Sequence, residues 1–344
     1  MATKREENIE SFENDVVSAE EAVQGFQYNL PVRKVEKIAN GYLSDIYEIE
    51  SEDDEYARES LYSLLSRFFS QTQQSGTAND YHNFAVALAR KSEYALACQV
   101  LECGLKMFPK NVDLLADFLQ YGVLCDRLDD CKKYHKVLLK IPRRRWTWRG
   151  FAFLVDYLRF LNERSDSEKE IAAREAEMLE VASEFRTFYP YVEEPYSVEA
   201  NIFKDLNEHE KELGALQSAL ENLEVAPKCA LRCADILFER GKYSEAAEKI
   251  RRCISDANRT QSSVSEGYMY YLSALCKIAN TQKSESTFDE ASVIEIYSDF
   301  NIALKDLSGS SYVEVIKTKT NMLVNKTGVD VSSEYELLYD CAAY

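Results

Sequence analysis

Residues 81–109 read YHNFAVALARKSEYALACQVLECGLKMFP. Apolar side chains recur every three or four residues, lapse around Arg90 to Glu93, and resume in the same rhythm. The pattern predicts two short amphipathic helices joined by a tight turn: helix A over 80–90 and helix B over 94–107. Pro109 closes the unit, because proline cannot continue a helix. Ala85, Ala97 and Gly104 are small residues placed where the two helices touch.

The same rhythm recurs along the chain. A first packed helix is expected over 55–71, where Tyr56, Leu61, Leu64, Leu65, Phe68 and Phe69 share helical spacing behind a Ser51 cap and an acidic first turn. Residues 71–77 are a polar linker. After Pro109 a second unit follows in register, with Leu115, Phe118, Leu119, Leu128, Cys131, Leu138 and Leu139 in its large and small slots. It is degenerate: Gly122 stands where a large residue is expected, and Pro142 comes one residue early. A strongly apolar helix over 148–161 and a long one over 167–188 make a less regular third unit. Helices are then expected near 197–206 and before Pro227, in a clear copy over 228–258, and in a further pair over 268–280 and 288–304. A last helix over 313–324 caps the series.

Residues 81–109 resemble the tetratricopeptide repeat, a 34-residue helix–turn–helix unit. Tyr81, Phe84 and Leu88 match its large helix-A positions, and Ala85 and Ala97 its small ones. Tyr94, Leu101, Gly104 and Pro109 match the helix-B positions, while Ser92 replaces the usual turn glycine. Gly241-Lys-Tyr243-Ser-Glu-Ala246 carries the family's most diagnostic string. The resemblance covers about 80–325. It implies an all-α, right-handed α-solenoid of stacked helix-turn-helix repeats, in which helix A lines a concave groove and helix B the outer wall. The expected organisation is an acidic, loosely packed segment 1–54, a capping helix and linker 55–78, a repeat array 79–325 and a tail 326–344.

The resemblance also implies a function: a non-catalytic scaffold or adaptor that holds a partner protein or peptide in the groove, as a subunit of a larger complex. Groove positions in the first unit include Asn79, Asn83 and Val86, and in the second Asp113, Asp117 and Gln120. Some family members grip a peptide carboxylate with Asn, Lys and Arg; Asn201, Lys228 and Arg232 match part of that clamp. Asn83, Asn201, Lys228 and Arg232 are therefore the candidate partner-binding residues.

Charge changes the picture in one place. The chain of 344 residues carries a net charge of −18, which argues against a general DNA, RNA or anionic-membrane binder. Residues 1–60 hold 16 Asp and Glu against 6 Lys and Arg. Residues 132–149, KKYHKVLLKIPRRRWTWR, have no acid and contain both tryptophans. Three readings of this island stand. Trp146 and Trp148 are core anchors with solvated bases around them; or the island contacts an acidic protein segment; or Lys140, Arg143, Arg144, Arg145, Trp146, Trp148 and Arg149 hold an anionic ligand or RNA, with stacking on the rings.

Catalytic signatures are missing from the sequence: there is no phosphate loop, GxSxG, HExxH or EF-hand pattern. An enzyme, a cofactor and a metal are accordingly not expected. The nine cysteines form no CxxC and read as small buried hydrophobes. The start, MATKREENIESFEND, lacks an apolar signal core, and no run is long enough to span a membrane. A cytoplasmic setting is the expectation.

Overall fold

A computed structural model describes residues 76–260, 264–307 and 311–329. The expected helix over 55–71, the acidic segment and most of the tail lie outside these residues. The described residues form helices and turns, with no strand among them. The chain divides into two compact units, Met1–Phe188 and Tyr189–Tyr344.

Among the described residues the first unit contains three helix pairs: α1 (Ala78–Ala89) with α2 (Tyr94–Met107), α3 (Val112–Leu124) with α4 (Leu128–Leu138), and α5 (Trp148–Glu163) with α6 (Glu168–Phe188). Each pair packs as a hairpin, and the first helices also stack on one another, α1 on α3 and α3 on α5. The core is the expected set. Tyr81, Phe84, Leu88, Phe118, Phe151 and Phe185 are fully buried, and their helical spacing puts them on one face of each helix.

The second unit repeats the plan. Helix α7 (Glu194–Asp205) pairs with α8 (His209–Asn222), α9 (Pro227–Glu239) with α10 (Tyr243–Thr260), and α11 (Glu266–Lys283) with α12 (Glu290–Leu307). Helix α13 (Tyr312–Thr327) packs on α12. Arg252 of α10 donates to the carbonyl oxygens of Leu220 and Leu223 at 2.5 and 2.8 Å, satisfying groups left open at the end of α8. These are tandem tetratricopeptide-like pairs, as the sequence pattern implied.

In four of the six described pairs a common turn explains the repeat length. Ser92, Asp126, Asn207 and Gly241 all adopt left-handed backbone, with φ of 61°, 59°, 56° and 69°. Each lies two residues before a helix B. Thirty-four residues separate Ser92 from Asp126, and 34 separate Asn207 from Gly241. In each turn the next residue's N–H reaches back five positions, as in Glu93 to Leu88 at 3.1 Å and Lys242 to Leu237 at 2.9 Å. This closes the end of helix A in the manner of a Schellman motif. Glycine adopts this conformation freely; the other three positions hold Ser, Asp and Asn, of which Asn and Asp tolerate it best.

Two apparent irregularities have physical reasons. A Cβ on Gly122 would lie 2.5 Å from the Sγ of Cys131, so the glycine lets α3 and α4 cross closely. The third pair is regular in its first helix. The N-caps Thr77, Asn111 and Thr147 fall 34 and 36 residues apart. Two residues are therefore added before α5, where Arg143–Arg145 form a short 3-10 turn. Counted from Trp148, the buried Phe151, Leu154, Val155 and Leu158 then occupy the usual positions.

Candidate interaction faces

The first helices of successive pairs bring their polar residues together. In the first unit Asp117 of α3 is wholly buried, yet it is a carboxylate. It is satisfied from both sides. His82 Nδ1 of α1 contacts its Oδ2, and Arg149 Nη1 of α5 donates to its Oδ1 at 3.2 Å. Burial of an unpaired charge would be prohibitive, so this trio fixes α1, α3 and α5 relative to one another. A second link runs beside it: Thr147, the N-cap of α5, donates to Asp113 Oδ1 at 2.6 Å.

Arg149 also lies over two rings, 5.3 Å from the centroid of Trp148 and 5.8 Å from that of Phe153. Trp148 and Phe153 meet edge to face at 6.4 Å. Trp148 remains 41% exposed. Asn83 is exposed on α1. The face therefore combines an internally neutralised floor with an accessible amide and an accessible indole.

The basic island splits. Trp146 is buried at 2% exposure. Its Nε1 donates to the Ile141 carbonyl at 3.0 Å, and its ring lies 5.1 Å from Phe151, which in turn stacks on Phe185 at 5.1 Å and 4°. Trp146 is thus a core anchor of the third pair, and stacking of a base on it is ruled out. Arg143 is taken up internally, with its guanidinium 3.9 Å over the Trp146 ring and its Nε donating to Glu184 at 2.9 Å. Arg149 is taken up by Asp117. Lys140, Arg144 and Arg145 are exposed and have no ion-pair partner among the described residues.

In the second unit Arg232 of α9 donates through Nε and Nη2 to Glu212 Oε1 at 3.2 and 3.0 Å. Glu212 is buried on α8. Lys228, at the start of α9, lies 3.8 Å from Glu194. Asn201 is exposed on α7. Of the three clamp-like residues, then, Arg232 already holds a carboxylate belonging to the chain itself. Helical spacing alone puts Asp117 and Arg232 on first helices; it does not reveal that His82, Arg149 and Glu212 are their partners. Complementary charge about one repeat away marks His82 and Arg149, and charge 20 positions earlier, on the preceding helix, marks Glu212.

Among the described residues no group of three or more His, Cys, Asp or Glu is placed to hold a metal ion, and no helix is long and apolar enough to cross a membrane.

The geometry defines a tetratricopeptide-like helical repeat protein. No protein-family model matches the chain, and no curated protein does. Among solved structures, TTC0263, a thermophilic TPR protein of Thermus thermophilus, is similar at 16% identity and a TM-score of 0.43, covering 54% of this chain and 94% of its own. PilF of Pseudomonas aeruginosa is similar at 15% identity and a TM-score of 0.47, over 70% and 97%. Acl4, an assembly chaperone of RpL4, is similar at 15% identity and 0.41, over 72% and 98%.

Proposed function

We propose that the chain is a non-catalytic protein-interaction scaffold, a subunit of a larger complex, that takes a partner protein or peptide along its first-helix faces. The cross-link of His82, Asp117 and Arg149 supports this reading most directly. It neutralises the buried charge of the face from within and holds three helices in one arrangement. A surface ordered before its partner arrives loses less entropy on binding. Asn83 and Trp148 are the accessible contacts beside it, and exposed tryptophan is a frequent hot spot. In the second unit Asn201 and Lys228 are the corresponding contacts. The test is purification of the tagged chain from its native host: one stoichiometric partner co-purifies, and Asn83→Glu with Trp148→Ala releases it while helicity is unchanged. Retention of the partner by that variant overturns the reading.

A second reading rests on Lys140, Arg144 and Arg145, which lack internal partners among the described residues. They suit an anionic ligand or RNA held by charge. Binding of this kind falls steeply with salt. Loss of single-stranded RNA binding on neutralising these three residues supports it, and salt-independent or absent binding eliminates it.

A further inference from the structure

The described thiols fall into two groups. Cys103, Cys131, Cys229, Cys233, Cys253 and Cys276 are buried in helices, and desolvation pushes each of them up. Such thiols are inert. Cys98 and Cys125 differ from all of these. Their Sγ atoms are 3.7 Å apart, although 27 positions separate them in sequence. Cys98 is buried within α2; Cys125 is the C-cap of α3, outside the helix body, and half-buried.

The surroundings of Cys125 favour its thiolate. The hydrogen bond with the Cys98 thiol lowers the Cys125 thiol, opposed by partial burial and helped by Arg127. Arg127 is itself fixed, with Nη2 donating to Glu102 at 2.6 Å and Nε donating to Asp130 at 3.0 Å. Partial exposure, a neighbouring guanidinium and a second thiol in contact are the features of a reactive cysteine with a resolving partner.

We propose that Cys98 and Cys125 form a thiol–disulfide exchange site, open to a small disulfide such as glutathione disulfide. Cys125 thiolate attacks one sulfur of the disulfide, forming a mixed disulfide and releasing the first thiolate. Cys98 then attacks Cys125 Sγ, its proton passing to the departing thiolate. The intrachain bond forms and the second thiolate leaves. Two protein thiols are oxidised and one disulfide is reduced to two thiols, so electrons and protons balance. Bond formation brings the sulfurs from 3.7 Å to about 2.05 Å, a movement within reach of a side chain at a helix end. The product ties α2 to the end of α3, the helix that carries Asp117.

The test uses the reduced full chain, treated with glutathione disulfide, alkylated and mapped by peptide mass spectrometry. The expected product is a Cys98–Cys125 cross-link, with loss of two titratable thiols. Cys98→Ser leaves glutathione on Cys125, and Cys125→Ser leaves residue 98 unmodified. Peptide mapping reports Cys341 separately. A native chain that forms no Cys98–Cys125 bond, or forms it no faster than the same chain in urea, overturns the proposal. That comparison needs no variant, so it stands even if Cys98→Ser fails to fold.

Discussion

Arg149 Nη1 lies 3.2 Å from Oδ1 of Asp117, and the carboxylate it meets is completely buried. The two residues belong to first helices of adjacent pairs, 32 positions apart. Removing the arginine strands the carboxylate against His82 alone. Arg149→Met is expected to cost about 3 kcal/mol. Adding Asp117→Asn to it recovers a substantial part. Denaturant midpoints of the two variants check this; equal loss in both would mean the pair contributes little.

The left-handed turns make a prediction of opposite signs. Gly241→Ala forces a Cβ into left-handed backbone and is expected to cost about 1 kcal/mol. Ser92→Gly relieves the same strain at the equivalent turn and raises stability by up to about 1 kcal/mol. Equilibrium unfolding of both variants tests whether the two turns are equivalent.

At Gly122 the close crossing predicts overpacking. Gly122→Ala is expected to cost about 1–3 kcal/mol, because the new methyl meets Cys131 Sγ. Trimming the opposing side, Gly122→Ala with Cys131→Ala, restores most of it. Additive losses in the double variant would contradict the crossing.

The two tryptophans give an optical test. A chain with Trp148→Phe retains only the buried Trp146, and its emission is blue-shifted and poorly quenched by iodide. A chain with Trp146→Phe retains the exposed Trp148, and its emission is red-shifted and readily quenched. The reverse assignment would contradict the split of the basic island.

Asp299 carries a pH signature. Burial raises its carboxyl above the usual range, against the lowering effect of Lys277 at 2.9 Å and Ser273 at 2.7 Å. The folded chain thus holds this proton more tightly than the unfolded chain, and the group's contribution to stability falls as pH rises from about 4. Relative to the native chain, Asp299→Asn gains stability from pH 4 upward and levels off above the folded pKa. Thermal melts at several pH values read this difference.

Much of the fold was legible because burial follows helical periodicity. Tyr81, Phe84 and Leu88 mark one face of α1 without any knowledge of what covers it, and helix B over 94–107 is observed at those bounds. What was not legible depends on a second segment. Gly122 looked like a defect, since its reason, Cys131, lies across the turn. Arg143, Trp146 and Arg149 share one basic island with Arg144 and Arg145, and the sequence leaves core anchor and accessible patch both open. Their partners Glu184, Phe151 and Asp117 are 41, 5 and 32 positions away, and nothing local distinguishes a paired arginine from a free one. The contact of Cys98 with Cys125 was hidden for the same reason.

Site-specific photo-cross-linking tests the scaffold account most directly. A photoreactive residue is placed at Asn83, at Trp148 or at Lys106, an exposed position on α2, and the chain is irradiated in its native host. The account predicts one shared partner protein cross-linked from positions 83 and 148 and not from 106. Cross-linking from 106 alone, or equally from all three positions, would contradict it.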